Sequence, residues 1–428
     1  MIRLLGCINK ELPCDRFCMQ HQGAEAPLRN PNNSIGATTW SSVSAVLCIA
    51  MALLVTPGGA QKGTEFPGST EDHVAAKGWW PTKATKADNA YAGEATCGKC
   101  HAEEFSTQAN TAMAKAAFRL SDSKQDAEPP SGGFENGPYS YRLVASSGGW
   151  SLEVASDGHA ISSKVLWTFG AGIHGRTYLL DGPEGLYEAQ MSSFSATHTL
   201  DMTPGHKKAL DGSLEKALGN RLSTRDAARC FACHTTASSV GGGLNLERAV
   251  PGVHCEACHG PGLEHINAAE GHANGKAIKS IFNPAYLTPS GSIDFCGACH
   301  RTLIDVVLNL GSSGLSSIRF QPYRIQKSRC WEQTEDARLT CTACHDPHEP
   351  LVRDASFYDR KCLGCHNSLH DGTLRPSTRR SAVAPPVCPK ETANCVSCHM
   401  PKYYLPEMHS QFTDHLIRIV RPGQLYPN

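Results

Sequence analysis

The chain has 428 residues, enough for two or three ordinary domains, and its Lys+Arg and Asp+Glu totals are equal at 40 each. Zero net charge and the lack of any basic run exclude a nucleic-acid-binding protein. Twenty cysteines and twenty histidines are the unusual part of the composition.

In chain order, residues 1–60 read as a leader and signal peptide. SSVSAVLCIAMALLVTPGGA (41–60) is the one long apolar segment, and its core from Val43 to Val55 has the length of a signal h-region rather than a membrane span. Gly58 and Ala60 supply the small residues of a cleavage site after Ala60. Left uncut, the segment would instead be a single membrane anchor. Leu47 before Cys48 does not suit a lipoprotein site. The long stretch ahead of it carries Cys7, Cys14, Cys18 and His21, which a start placed too far upstream explains better than a metal site. Residues 61–90 are polar and aperiodic, a linker.

CGKCH (Cys97, Cys100, His101) opens a segment covering 91–131. After it, Phe105, Ala109, Ala112, Met113, Ala116 and Leu120 fall at helical spacing and predict an amphipathic helix of about four turns. The character then changes. SYRLVA (140–145), WSLEVA (150–155), SSKVLWTF (162–169), RTYLL (176–180) and LYEAQM (186–191) alternate between Gly-containing breaks. They predict a small antiparallel β-module over 132–215.

Residues 216–428 carry six more copies of the first motif. These are CFACH (Cys230, Cys233, His234), CEACH (Cys255, Cys258, His259) and CGACH (Cys296, Cys299, His300), then CTACH (Cys341, Cys344, His345), CLGCH (Cys362, Cys365, His366) and CVSCH (Cys395, Cys398, His399). At this Cys and His content chance gives roughly 0.04 copies, not seven. Two thiols three positions apart can form thioethers to the two vinyl groups of one haem, and the next imidazole reaches the iron. Zinc ribbons group Cys pairs two plus two, and a thioredoxin-like site occurs once, so neither fits the pattern. The expected cofactors are seven covalently bound haem c groups, with His101, His234, His259, His300, His345, His366 and His399 as proximal ligands. The closely spaced motifs predict short helices and loops wrapped on porphyrin, and a mainly α fold with extensive loops.

Distal ligands are less determined. His265 follows His259 across Gly-Pro-Gly, and His348 follows His345 across a proline; so close a histidine serves a neighbouring haem rather than its own. His409 and His415 in the tail and His174 on a Gly-rich turn are further candidates. Met113 is a candidate thioether ligand, with a packed core methionine as the alternative. His73, His159, His198, His206, His254, His272 and His370 are reserves. Cys330 and Cys388 remain outside the motifs; an oxidising compartment favours a disulfide between them.

YAGEATCGKCHAEEF, GVHCEACHGPGLEH, CTACHDPHEP and CVSCHMPK with HSQFTDHLIRI resemble the multihaem cytochromes grouped around cytochrome c-554, hydroxylamine oxidoreductase and pentahaem nitrite reductase. The resemblance spans roughly 91–420. It implies a mostly helical, haem-packed fold, closely spaced haems, and distal ligation by His265, His348 and the C-terminal histidines. The Cys-x-x-Cys-Lys motif of the nitrite reductases is absent, and seven motifs do not match the eight haems of hydroxylamine oxidoreductase.

The function expected is periplasmic or extracytoplasmic electron transfer between redox partners, from a quinol-side donor to a terminal acceptor. Haem propionates would turn the neutral chain acidic and favour basic docking patches. Self-assembly of copies stays open. The alternative is an oxidoreductase acting on a small nitrogen or sulfur compound at one five-coordinate haem.

Overall fold

Among the described residues, the largest buried apolar cluster lies mainly on strands of one large antiparallel sheet. The computed structural model describes Thr70 and residues 91–120, 129–146, 149–207, 212–240, 243–271, 280–308, 314–332, 339–366, 393–421, 423–424 and 426. All of them belong to one unit, Thr64–Asn428. The leader with Cys7, Cys14, Cys18, His21 and Cys48, the signal segment, the linker apart from Thr70, His73, His272, His370 and Cys388 lie outside the described residues.

Nine strands form one antiparallel sheet. They are β1 (Ala117–Arg119), β2 (Gly133–Asn136), β3 (Tyr139–Ser146), β4 (Gly149–Ser156), β5 (His159–Phe169), β6 (Gly175–Gly182), β7 (Gly185–Phe194), β8 (Thr199–Met202) and β9 (Gly219–Arg221). The path runs β2-β3-β4-β5-β6-β7-β8, with β1 added on β5 and β9 on β7. β2 at one end packs on β8 at the other, so the sheet curls into a nearly closed barrel. Period-two alternation puts Trp150, Leu152 and Val154 of β4 inside with Tyr141, Tyr178, Leu180 and Met191. Side chains fill this interior.

This corrects the mainly α expectation. The β part is no small insert but the largest packed body among the described residues, whereas the helices run from 4 to 12 residues. The motif-bearing segments lack long apolar periodicity and cannot build a helical core of their own. The strands hold the buried Trp, Tyr, Leu and Met side chains. The helix expected through Leu120 also stops early, at Gln108, and residues 117–119 are strand β1. Pairing of β1 with Trp167–Phe169 of β5 outweighs the local helical pattern there.

Among the described residues, the α-helices of four residues or more are α1 (Glu94–Cys97), α2 (Ala102–Gln108), α3 (Leu214–Leu218), α4 (Thr224–His234), α5 (Cys255–His259), α6 (Leu263–Glu270), α7 (Pro289–His300), α8 (Leu303–Leu308), α9 (Gln321–Gln326), α10 (Arg329–Glu332), α11 (Ala355–His366) and α12 (Cys395–His399). Three of the longest start on a side-chain cap and end on a motif histidine. The Ser223 hydroxyl accepts from Asp226 N at 3.1 Å at the head of α4, and Thr288 accepts from Gly291 N at 3.1 Å at the head of α7. The Asp354 carboxylate accepts from Ser356 N at 3.0 Å at the head of α11. A hairpin of Lys402–Leu405 and Ser410–Thr413 follows α12.

Two register shifts connect the sheet to the motifs. β5 bulges between Val165 and Trp167, and β7 bulges between Glu188 and Ser192, opposite Leu179 and Thr177 of β6. Val165 therefore faces the barrel interior, whereas Trp167, Phe169 and Leu179 enter a second apolar cluster with Phe231 of α4. Phe231 is fully buried, with Trp167 and Phe169 edge-on at 4.9 and 5.1 Å.

Candidate functional site

In a helical turn, residues three apart share a face, so Cys-x-x-Cys projects both sulfurs to one side. The motifs of α4, α7 and α11 are the last turns of those helices, and CEACH and CVSCH are the whole of α5 and α12. Two motifs depart from this pattern. Cys341–Ala343 is a 3-10 turn. At the first motif Cys97 ends α1, and Cys100 lies beyond the helix in the turn before α2. Hydrogen bonds from Cys100 N at 3.1 Å and His101 N at 2.9 Å to Cys97 O keep that turn tight. Cys100, Cys365 and Cys398 are exposed, while the other motif cysteines are half-buried.

The histidines complete the geometry. The ring of His101 lies 6.3 Å from that of His265, His259 lies 6.0 Å from His348 with planes 6° apart, and His345 lies 6.2 Å from His415. An imidazole nitrogen sits ~2 Å from a first-row metal and the ring centre about 1 Å further, so two imidazoles on opposite faces of one iron have centroids about 6 Å apart. All three pairs have that spacing, and the donor set fits haem iron.

Several motif rings are also oriented by backbone carbonyls, and burial favours the neutral form of others. The Nδ1 atoms of His234, His259 and His399 lie 3.0, 2.9 and 3.0 Å from the carbonyl oxygens of Ala116, Phe282 and Arg418. Donation from Nδ1–H to a carbonyl leaves Nε2 as the lone-pair nitrogen for a metal. Burial lowers the pKa of His234, His259, His300, His345 and His366, and takes His415 down to about 4. Phe169 of the sheet stacks on His234 at 5.0 Å. Phe169 of the sheet and the carbonyl of Ala116, just before β1, thus hold the second motif's imidazole.

The other candidates sit differently. His174 Nδ1 is 2.7 Å from Ser410 Oγ and its ring stacks on Phe412. His409 Nε2 is 2.7 Å from Asp201 Oδ2 and its ring leans on Phe194. Both link the sheet to the C-terminal hairpin. Met113 is half-buried, and its carbonyl accepts from Val253 N just before the third motif. Of the reserves, His206 contacts Gln190 and Glu188, and His254 contacts Pro251 O and Glu94. His159 opens β5 at the surface, and His198 holds a left-handed turn with φ 54°. Cys330 lies in α10 with Cys344 and Cys365 among its neighbours, and burial raises its thiol pKa.

Sequence reasoning missed three arginines. Arg229 Nε, Arg301 Nη1 and Arg319 Nε are buried without a hydrogen-bond partner among the described residues. Arg229 directly precedes Cys230 and Arg301 directly follows His300, positions that the sequence alone could have flagged. Their carboxylate neighbours Asp226, Asp305 and Glu407 stand off at 3.7, 3.7 and 3.8 Å. The orphaned donors of Arg229 and Arg301, beside attachment motifs, suit haem propionates.

The profile of the cytochrome c554 and c-prime family matches residues 187–260, and that of the cytochrome c3 family matches residues 333–405. Five of the seven motifs fall inside these two matches. The chain is a multihaem c-type cytochrome. The haem of this cytochrome is covalently bound haem c, and its chemistry is electron transfer with redox partners. Among solved structures, the outer cell wall cytochrome OcwA is similar at 15% identity over 78% of this cytochrome and 80% of that chain, with a TM-score of 0.46. No curated protein matches the cytochrome. Among the described residues, no helix is long and apolar enough to cross a membrane.

Proposed function

We propose that this chain is a heptahaem electron carrier, working outside the cytoplasm between a quinol-side donor and a terminal acceptor. The observation that carries the reading is the set of three histidine pairs at 6.0–6.3 Å, each joining a motif histidine to one from another segment. In this reading His265, His348 and His415 are the distal ligands at the first, third and fifth motifs. Haem supplies one-electron chemistry when bound, and two axial imidazoles leave no coordination position for a substrate. The protein's part is to hold imidazoles in place with backbone carbonyls and to offer half-buried arginines with unpaired donor atoms. Covalent attachment of haem c outside the cytoplasm and the apolar 41–60 segment support export.

A second reading, turnover of a small nitrogen or sulfur compound at an open iron, draws on His234, whose ring neighbour is Phe169 rather than a second imidazole. Spectra of the purified holoprotein separate the two. A carrier shows low-spin haem alone and no carbon monoxide binding after reduction. A high-spin ferric signal with rapid reoxidation by nitrite, hydroxylamine or tetrathionate selects the enzyme. Intact mass tests the count, because fewer than seven haem increments refutes the heptahaem assignment.

A further inference from the structure

Three attachment motifs are tied to a neighbouring motif by the same device. The Glu256 carboxylate, inside CEACH, accepts from Ala92 N at 2.7 Å and Gly93 N at 2.9 Å, ahead of the first motif's helix α1. It also accepts from Gly262 N at 2.8 Å on the loop leading to His265. The Asp359 carboxylate, three residues before Cys362, accepts from Asn394 N at 2.7 Å and Cys395 N at 2.8 Å at the head of α12. The Ser292 hydroxyl, four residues before Cys296, accepts from Cys341 N at 3.2 Å at the head of the fifth motif. All three side chains are buried.

The backbone groups they satisfy lie at helix N-termini, where N–H groups lack an intrahelical partner. Ordinary caps are local, from a residue adjoining the same helix. Apart from the bond to Gly262, these reach across 35 to 164 positions of sequence, from one motif to another. In each couple the first cysteines of the two motifs also meet: Cys97 with Cys255, Cys296 with Cys341, and Cys362 with Cys395 are close enough to hydrogen-bond. Those thiols cannot donate once they are thioethers. In the mature protein that S–H contact is gone, and the oxygen acceptors remain.

We propose that Glu256, Asp359 and Ser292 are positioning residues that lock neighbouring haem sites into register, the first with the third motif, the fourth with the fifth and the sixth with the seventh. The assignment rests on the electron-transfer reading above and deepens it. Electron exchange between two haems depends on their separation and orientation, and these bonds fix the relative placement of the attachment turns. The same couples pack through α1 on α5, α7 on the 3-10 turn at Cys341, and α11 on α12.

The test uses the full holoprotein carrying Glu256→Gln or Asp359→Asn. Each substitution keeps shape but turns one acceptor oxygen into an NH2 that faces a backbone donor. The control is Asp354→Ala, which removes the local cap of α11, bonded to Ser356 N and Oγ, without touching the seventh motif. The readout is Soret circular dichroism, where adjacent haems produce a coupled, two-signed band, with haem content checked by intact mass. Both isosteric variants are expected to keep full haem content and lose part of the couplet, each a different component. The control is expected to melt earlier with the couplet unchanged. Ser292→Ala repeats the test at the fourth and fifth motifs with loss of a single neutral bond, should a carboxylate variant fail to fold. An unchanged couplet in the variants, or an equal change in the control, overturns the positioning role. Wild-type protein without bound haem overturns the electron-transfer reading instead.

Discussion

Replacing His348 by Ala is the cleanest perturbation of the proposed ligand set. The His348 side chain is 40% exposed, its Nδ1 lies 3.4 Å from Asp346 Oδ1, and its backbone N–H donates to the same carboxylate at 2.9 Å. The backbone bond survives the substitution, and the loss of so exposed a ring costs little packing, within about 0.5 kcal/mol before ligation is counted. The ring faces His259 at 6.0 Å with a 6° tilt, the arrangement that two nitrogens on one iron require. One haem site of seven motifs should therefore lose its sixth ligand, converting about one seventh of the iron from low to high spin. Electron paramagnetic resonance of the ferric protein and carbon monoxide titration of the ferrous protein both count that fraction. His348→Met should return the site to low spin with a raised potential, because a thioether favours the reduced iron. A fully low-spin His348→Ala protein that binds no carbon monoxide would refute the ligand assignment and reduce the ring pair to packing.

Phe169→Ala should destabilise the protein by about 3–5 kcal/mol through the cavity left against Phe231 and Trp167. It should also shift the spectral signature of one haem, since the ring stacked on His234 is gone; calorimetry and paramagnetic resonance read the two effects, and destabilisation alone would deny the sheet its orienting role. The buried Asp359 carboxyl is opposed by desolvation, but its bonds from Cys395 N and Asn394 N outweigh it and hold its pKa below 3.8. Its contribution to stability is complete above that value and lost as pH falls below it, so acid melting curves of wild type and Asp359→Asn should converge there. Chain expressed without haem attachment should keep the sheet core and lose the motif-bearing half. Limited proteolysis is expected to leave a fragment spanning roughly residues 117–221, and complete digestion of that region would show that the barrel needs haem.

How legible the molecule is from its sequence depends on the range of the interaction. Cys-x-x-Cys-His is local chemistry, and five spaced residues display it in full. The alternation of WSLEVA is equally local, and β4 buries Trp150, Leu152 and Val154 in that order. The size of the sheet was not legible. β1 and β9 are three-residue strands whose own sequences carry no strand signal; they exist because β5 and β7 offer free edges. Ring pairing was also hidden, because His101 and His265 lie far apart in the chain and only the fold brings them to 6.3 Å. His174 and His409 look like the other candidates in sequence, yet contact Ser410 and Asp201. Inter-motif carboxylates such as Glu256 look like exposed polar filler until their three donors are seen.

The order of the ring pairs has a consequence for assembly. On the ligand set proposed above, each crossing pair completes an earlier motif with a later segment: His265 serves the first, His348 the third and His415 the fifth. A haem attached early is then held by one imidazole until the chain that follows has folded back over it. The tail is what finishes the fifth site, and it is anchored by buried contacts. Arg324 pairs with Asp414 at 2.9 and 3.0 Å, and Ser328 donates to His415 O while accepting from Ile417 N. Arg418 Nη1 also reaches Asp414 Oδ2 at 2.6 Å, so loss of Arg324 leaves Asp414 one cation and costs less than the ~3–5 kcal/mol of a fully unpaired buried charge. Arg324→Met should therefore loosen His415 and raise a high-spin signal at the fifth motif alone, leaving the first and third pairs low-spin. Spin changes spread over all three pairs would mean that the ligands report global unfolding rather than a sequence of local closures.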